Sequence, residues 1–387
     1  MGDRVQVPDP KGGAEPVWGE VVGRAGNGSN KKAGWQYSIK TESGERIECF
    51  GREVLSIEHA PGSLADSTHP GALAIIDGGN GTTTYSPGLG ALIGVWDSPP
   101  GDGHADSSGK VVVWDVEAGT RLREMDCGAG VTKLAGAPGL LITGDAQGKT
   151  AVWDDNGAKL FENSFPVTRD GTQYNLPVEC LMYAEGPDAV IFSRRWEVDS
   201  VFAWSPRTGA VLWEVQGTNL AQRLHYAAEV NAVLAAPFDH GKDDIVAYNA
   251  STGEKINQMK DVGDGIKCLI YAAGVRAVIT GSCSSQVEVY EWSTGAKIRT
   301  EKFNTEVMAL AFVPKFELLI TGLKDGTVNV LEYGSFQKVQ EFQVLNQVMV
   351  MSLTYVEEKG AVVTQDDDNF WAVWPLTLPP SQGVLGT

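Results

Sequence analysis

The chain alternates between short apolar runs and polar turns along most of its length. The clearest example is LLITGLKDGTVNVL (318–331), in which two apolar runs flank a Lys-Asp-Gly-Thr turn. Short apolar or alternating runs bounded by Gly, Asp, Asn and Ser are typical of β-strands joined by tight turns. The pattern therefore predicts an all-β chain made of hairpins like this one.

The second strand of this hairpin recurs, so that seven copies are found along the chain. The copies are KVVVW (110–114), KTAVW (149–153), SVFAW (200–204), DIVAY (244–248), QVEVY (286–290), TVNVL (327–331) and FWAVW (370–374). Their last residues are Trp114, Trp153, Trp204, Tyr248, Tyr290, Leu331 and Trp374, which are separated by 39, 51, 44, 42, 41 and 43 residues. Each unit also contains three further short strands, such as KINQMK, IKCLIYA and RAVITG. Four strands in every forty-odd residues predict a β-propeller with seven blades.

The seven large residues that end these strands have two possible roles. A four-stranded blade cannot bury both of its faces alone, whereas a ring of blades buries each face against a neighbour. We therefore interpret the seven residues as packing between blades and not as a cofactor site.

The repeats resemble those of the WD-repeat family over residues 72–374. Trp114-Asp115 and Trp153-Asp154 reproduce the Trp-Asp dipeptide, and VMALAFVP (307–314) followed by LLITGLKDGTVNVL resembles a whole repeat. The resemblance implies a propeller that binds other proteins. No unit shows the Gly-His step of that family, and only Asp325 occupies its usual turn position. We therefore expect the family's His–Ser/Thr–Asp–Trp hydrogen-bond network to be absent.

Residues 1–58 break the repeat and predict five short strands joined by Gly-rich turns. Their order resembles a small SH3-like barrel of the Tudor or chromo-barrel type, on the basis of GDRV, WGEVV and a Ser-Gly-Glu turn. An aromatic cage for a methylated Lys or Arg is one hypothesis for Trp18, Tyr37 and Phe50, since aromatic faces attract cations. The other interpretation, which we favour, is that these rings form the core of the barrel.

The predicted domains are thus an SH3-like barrel (1–58), a linker (59–71), a propeller (72–376) and a C-terminal tail (377–387). The seventh unit supplies only three strands of its own, so the fourth should come from upstream of Ala72. We expect it near Val54–Glu58, although the barrel needs the same segment. A three-stranded seventh blade is the alternative.

Charge and cysteine usage narrow the choice of partners and compartment. The net charge is −18, which repels nucleic-acid phosphate and anionic lipid and favours basic or neutral protein surfaces. The five cysteines are scattered without a CxxC pair, which favours reduced thiols, and no run approaches the length of a membrane span. These features predict an intracellular, cytoplasmic protein.

The sequence offers little that indicates catalysis. The five histidines show no metal-ligand spacing and no GxSxG motif is present, so we expect no enzyme activity, no cofactor and no metal. A competing resemblance is that of VFAWSPRTGAVLWEV (201–215) and IVAYNASTGEKI (245–256) to quinoprotein-type propellers. It implies an enzyme or a small-ligand sensor that uses the central channel.

Long loops mark the predicted binding region. Loops that join the fourth strand of a blade to the next blade, or its second strand to its third, share one face of a propeller. The oversized ones are DSPPGDGHADSSG (97–109), ENSFPVTRDGTQYNLP (162–177) and SRRWEVDS (193–200). The last two contain residue types that are enriched at interface hot spots, namely Arg169, Tyr174, Arg194, Arg195 and Trp196. The sequence therefore predicts a protein-binding scaffold in a multi-protein complex, with the alternative that Trp196 packs inward and the arginines pair with nearby acids.

Overall fold

The computed structural model describes most of the propeller and the strands that precede it. The described residues are 4–7, 17–26, 35–41, 46–50, 56–58, 74–77, 83–86, 91–96, 109–115, 121–128, 130–169, 172–194, 200–216, 221–237, 244–263, 265–344, 348–367 and 370–376. The predicted linker (59–71) and tail (377–387) lie outside them.

The first five strands form one antiparallel sheet. They are β1 (Arg4–Val7), β2 (Val17–Gly26), β3 (Trp35–Thr41), β4 (Arg46–Phe50) and β5 (Ser56–Glu58). The order across the sheet is β4-β3-β2-β1-β5, so β5 returns to pair with β1. The number of strands agrees with the sequence prediction, and the interpretation as an SH3-like barrel stays a prediction.

The remaining chain forms seven four-stranded blades, whose strands we name A to D from the centre outward. Blade 1 consists of β7 (Thr83–Ser86), β8 (Ala91–Trp96), β9 (Lys110–Asp115) and β10 (Arg121–Asp126). Blade 2 consists of β11 (Val131–Ala137), β12 (Leu140–Asp145), β13 (Lys149–Asp154) and β14 (Lys159–Ser164). A separate hairpin, β15 (Val167–Arg169) and β16 (Thr172–Tyr174), follows. Blade 3 consists of β17 (Val178–Ala184), β18 (Ala189–Arg194), β19 (Ser200–Trp204) and β20 (Val211–Gln216).

The other four blades repeat this arrangement. Blade 4 consists of β21 (Ala221–Ala227), β22 (Ala232–Pro237), β23 (Ile245–Asn249) and β24 (Lys255–Met259). Blade 5 consists of β25 (Ile266–Ala272), β26 (Ala277–Ser282), β27 (Gln286–Glu291) and β28 (Lys297–Lys302). Blade 6 consists of β29 (Val307–Val313), β30 (Leu318–Leu323), β31 (Thr327–Glu332) and β32 (Lys338–Gln343). Blade 7 consists of β33 (Val350–Val356), β34 (Ala361–Asp366), β35 (Phe370–Pro375) and β6 (Ala74–Asp77). Short 3-10 turns lie at Ala228–Val230, Pro314–Phe316 and Glu357–Lys359.

An N-terminal strand closes the ring, as expected, but the segment predicted for this role was wrong. Strand β6 pairs with β35 through Ala74↔Val373 and Asp77↔Phe370, whereas residues 56–58 of the predicted segment pair with β1. Both segments are short, and pairing between distant strands is not encoded in either one alone. The competition between barrel and ring therefore does not arise, and blade 7 has four strands.

The burial pattern explains the apolar runs of the sequence. All six residues of the B strands β18, β22, β26, β30 and β34 are buried, because these strands lie in mid-sheet with a blade on either side. The D strands alternate between exposed and half-buried residues, as in β14 and β28. Continuous apolar runs are typical of strands covered on both faces, and alternation is typical of strands with one face in water.

The buried residues divide into seven clusters, each shared by two neighbouring blades. Trp153, for example, packs with Val111 and Ile93 of blade 1. Trp114 packs with Trp371 of blade 7, with ring centroids 4.9 Å apart, so the ring is closed by apolar contact as well as by β6. All seven of the large residues identified at the ends of the repeated segments are buried. All of them except Leu331 belong to clusters shared by two blades, which confirms their predicted packing role.

Two blades contain a hydrogen bond of the Trp–Ser/Thr kind that the four-residue network of the WD-repeat family includes. The indole Nε1 of Trp153 donates to Thr143 Oγ1 at 3.0 Å, and that of Trp374 donates to Thr364 Oγ1 at 2.9 Å. Both threonines lie on the B strand beside the tryptophan. Each of these two blades thus has a buried hydrogen bond between its B and C strands.

The D strands share a feature that the sequence did not reveal. In six of them the second residue is an extra residue that has no partner on the C strand, which is a β-bulge. This residue is always aliphatic and is 44–59% exposed. The six are Leu122, Leu160, Leu212, Ile256, Ile298 and Val339. Bulges at sheet edges blunt the tendency of exposed strands to pair with other chains.

In each of blades 1 to 6, a side chain that follows the bulge connects the blade to the next one. These side chains donate to backbone carbonyls in the next blade's turn between strands C and D, or directly beside it. The donor–acceptor pairs are Arg123–Asp155, Asn163–Gly209, Trp213–Ala250, Asn257–Trp292, Arg299–Gly334 and Gln340–Pro375. We call these six contacts the outer latches.

The position of the closing strand is testable by truncation. Removal of residues 1–58 should leave the unfolding transition of the propeller in place, because β6 is retained. Removal of residues 1–77 should lower the unfolding free energy by about 3–5 kcal/mol, comparable to the loss of one large core side chain, because it uncovers the edge of β35. Urea denaturation followed by tryptophan fluorescence distinguishes the two. A large loss already on removal of residues 1–58 would contradict the assignment of β6.

Candidate functional site

The two faces of the propeller differ in the length of their connections. We call the face that carries the D–A and B–C connections the loop face, and the opposite face, which carries the A–B and C–D turns, the turn face. Turn-face connections are short, such as 138–139, 185–188 and 155–158. The three oversized segments predicted from the sequence all connect strand ends at the loop face. The predicted binding region is therefore on one face.

The most distinctive described element of the loop face is the hairpin β15–β16. It is inserted between strand D of blade 2 and strand A of blade 3, and it forms a two-stranded sheet that joins no blade. Its register pairs Val167 with Tyr174 and Arg169 with Thr172. An isolated hairpin of this size has little stability of its own, so its position depends on how its base is held.

Arg194 holds the base of this hairpin. Its guanidinium Nη1 donates to the carbonyl of Phe165, two residues before β15, and its Cζ lies 4.3 Å from the ring centroid of Phe202. The Phe165 ring packs on Phe192 and Phe202, with centroids 5.1 and 5.2 Å apart. Arginine is suited to this role because its planar cation stacks on aromatic faces.

The prediction that Arg194 is an exposed hot-spot residue was wrong. The residue is only 5% exposed, and this burial lowers the pKa of its guanidinium, while the charge of Glu214 opposes that shift. It continues the buried pattern of β18 and stacks on a phenylalanine from the next strand. No sequence signal distinguished a stacked arginine from an exposed one. The sequence analysis also did not identify Phe165, Phe192 and Phe202 as its packing partners, because nothing in the sequence indicates that these rings meet.

The other predicted contact residues fall into two groups. Arg169 and Tyr174 lie on the hairpin that Arg194 anchors, and the structure describes their backbone. Arg195 and Trp196 lie outside the described residues, between the ends of β18 and β19 at the same face. The structure thus brings the hairpin and Arg194 together, and the contacts of the other four side chains stay a prediction.

The predicted aromatic-cage residues lie on three neighbouring strands of the N-terminal sheet. Trp18 is on β2, Tyr37 on β3 and Phe50 on β4. Trp18 pairs with Gln6, Tyr37 with Cys49, and Phe50 with Gln36. Their side chains are outside the description, so both the cage and the core interpretations stay predictions.

The innermost strands carry one histidine and two cysteines whose pKa values are shifted by burial. Burial lowers the pKa of His225 on β21 to about 4 and raises that of the Cys268 thiol on β25 to about 12. It also raises the pKa of Cys180 on β17, whose Sγ lies 2.8 Å from the carbonyl of Gln222. These shifts favour a neutral imidazole and neutral thiols. Within the described residues, no three His, Cys, Asp or Glu side chains converge into a set able to hold a metal.

Comparisons with known proteins bear on the fold alone. The sequence matches no protein-family model, and no curated protein matches it significantly. Among solved structures, the fold is similar to that of a computationally designed protein, Ika8. The TM-score is 0.56 and the identity 19%, with 93% of each chain covered. Such low identity shows a shared fold and nothing about activity. The described part of the chain contains no helix long and apolar enough to cross a membrane.

The role of Arg194 is testable through stability. Arg194→Ala should lower the unfolding free energy by about 1–3 kcal/mol, since it removes a buried donor and leaves the Phe165 carbonyl unpaired. It should also speed proteolytic cleavage within residues 165–177. The control is Arg207→Ala, because Arg207 forms an ion pair with Asp188 in which both side chains are about half exposed; such pairs contribute at most about 1 kcal/mol. Equal effects of the two substitutions would contradict the anchoring role.

His225 should make stability depend on pH. Its pKa is about 4 in the folded protein, below the ordinary 6.5, so the unfolded chain binds a proton first as the pH falls. The stability that the neutral imidazole contributes is complete above pH 6.5 and is lost between pH 6.5 and 4. The loss reaches about 3 kcal/mol, at 1.36 kcal/mol for each unit of pKa difference.

Comparison with His225→Gln isolates this contribution from that of the carboxylates. The advantage of the parent protein over the variant in urea denaturation should shrink as the pH falls from 7.5 to 4. Parallel curves for the two proteins would show that His225 does not titrate in this way.

Proposed function

We propose that this protein is a non-enzymatic scaffold that binds other proteins through the loop face of its propeller, as one subunit of a larger assembly. The observation that carries the proposal is the anchored hairpin β15–β16. Arg194 and three phenylalanines, two of them on blade 3, hold its base. Arg169 and Tyr174 are residues of its two strands, which form a sheet of their own. Function often resides in loops that a rigid scaffold positions.

The distribution of connections supports the same proposal. The turns of the turn face contact neighbouring blades. Gly274 N donates to Glu229 Oε2 at 2.8 Å, and Gly186 N donates to Tyr226 Oη at 3.1 Å. The loop face carries residues 97–109, 165–177 and 195–199 between strand ends. Extra length in a connection costs little loop entropy. The loop face can therefore carry long connections that the fold does not require.

We also propose that the propeller is WD-repeat-like and that the N-terminal sheet is an SH3-like barrel. The Trp–Thr hydrogen bonds of blades 2 and 7 support the first interpretation. The sheet order, in which β5 returns beside β1, supports the second.

The test separates binding from folding. We expect Arg195→Ala combined with Trp196→Ala to reduce recovery of at least one partner tenfold or more. Replacement of residues 166–176 by the short connection 303–306 of blades 5 and 6 should have the same effect. Recovery is measured by affinity purification from the native source with quantitative mass spectrometry, and the thermal midpoint of each variant is measured in parallel. Arg194 is left unchanged because it stabilises the fold.

A charge removed from the turn face provides the control. Lys315 lies in the turn between strands A and B of blade 6. Lys315→Ala should leave the recovery of every partner unchanged. If both loop-face variants keep their thermal midpoints and all their partners, the proposed binding face is wrong.

A further inference from the structure

The outer strand of blade 3 departs from a pattern that the other described outer strands share. In five of the six bulged strands a Lys or Arg precedes the exposed aliphatic residue. These pairs are Arg121-Leu122, Lys159-Leu160, Lys255-Ile256, Lys297-Ile298 and Lys338-Val339. Blade 3 has Val211-Leu212 instead, and the two side chains are 53% and 44% exposed. Two neighbouring aliphatic side chains are thus exposed where the repeat has one.

The missing cation has a defined role in the other blades. In four of them it contacts the acidic or amide side chain three residues further along the strand, as Lys159 Nζ contacts Glu162 Oε2 at 2.6 Å and Arg121 Nη2 contacts Glu124 Oε2 at 2.8 Å. Lys255 contacts Gln258 at 2.7 Å and Lys338 contacts Glu341. In blade 5 the cation of Lys297 pairs with Glu288 instead.

Blade 3 keeps the acid of this pair without the base. Glu214 stands three residues after Val211, and its described contact is with the amide of Gln216 at 3.1 Å. Arg194 acts on it at longer range, and no described cation lies within 4 Å of it. The strand therefore presents an exposed aliphatic pair next to a carboxylate whose usual lysine is absent.

The surroundings of this strand are acidic. The turn-face connections of blades 2, 3 and 4 carry five acids against one base, Arg207. The acids are Asp155, Glu185, Asp188, Glu229 and Glu254. Arg123 and Arg276 reach into them from neighbouring blades, which still leaves five acids against three bases. The whole chain carries a charge of −18, so a second copy or an anionic lipid surface would be repelled.

We propose that Val211, Leu212 and Glu214 form a docking site on the outer edge of blade 3 for a protein segment that combines an aliphatic side chain with a lysine or arginine. The aliphatic side chain covers Val211 and Leu212, and the partner's cation takes the place that Lys159 or Lys338 occupies in the other blades. This surface is separate from the loop face, so the proposal does not depend on the function proposed above.

The repeat itself supplies the variant that tests the site. Val211→Lys restores the Lys-aliphatic pair and places a base three residues before Glu214, as in blades 2 and 6. It should therefore keep or raise the thermal midpoint while it fills the site. Glu214→Gln, which removes the carboxylate, is the second variant.

Photo-cross-linking in the native source identifies what binds there. The photoreactive residue p-benzoylphenylalanine is placed at Leu212 in the full chain, and the cross-linked peptides are sequenced by mass spectrometry. We expect one dominant peptide from another protein, with a lysine or arginine within a few residues of an aliphatic cross-linked position. Val211→Lys should reduce its yield at least tenfold, and Glu214→Gln at least threefold.

The same probe at Ile298 of blade 5, which is 59% exposed, is the matched control and should give no such peptide. Equal cross-linking from Ile298, an unchanged yield in Val211→Lys, a peptide without a cation or a peptide from a second copy of this chain would each overturn the proposal.

Discussion

The structure depends on contact between blades, because no blade encloses a core of its own. Each of the seven apolar clusters draws its side chains from two neighbouring blades. A blade without a neighbour would expose an apolar face of its four-stranded sheet. In repeat proteins, neighbouring repeats bury such faces. Closure of the ring is therefore a condition for the burial of every blade. The ring closes at the junction of blades 7 and 1, where Trp114 contacts Trp371. Strand β6 supplies the fourth strand of blade 7.

Two kinds of polar contact supplement this packing, and their distribution explains how far the repeats have diverged. The Trp–Thr hydrogen bond inside a blade occurs in blades 2 and 7. In blade 3 the corresponding position of β18 is Phe192, which packs its ring against Phe202. The outer latches, by contrast, accept Arg, Asn, Trp or Gln as the donor, because the acceptor is a backbone carbonyl. A contact that tolerates four residue types constrains the sequence weakly, so the repeats can diverge while the blades stay connected.

The sequence predicted the features that depend on local pattern. The same local pattern recurs in every repeat. It was therefore enough to predict the C strands, the large residues near their ends and the number of blades. The closing strand was wrongly placed because AIID (74–77) and SIE (56–58) carry similar local signals, and only their distant partners distinguish them. Arg194 was wrongly assigned to the surface because the residue type permits both an exposed contact and a stacked, buried one. Its burial depends on Phe165 and Phe202, which come from other parts of the chain.

The departures from the repeat concentrate on blade 3 and the connection that leads into it. At the loop face, the hairpin β15–β16 enters this blade and Arg194 fixes its base. At the turn face, the outer strand β20 begins with Val211, directly after the turn between strands C and D. The other bulged strands begin with Lys or Arg at this position. Because strands cross a blade from one face to the other, Val211 and Leu212 lie at the opposite end of blade 3 from the hairpin. Glu214 lies between them and the hairpin base, where it pairs with Phe202. Two partners could therefore be held by one rigid blade without competing for the same residues, which is the arrangement that a scaffold requires and that a single binding face does not provide.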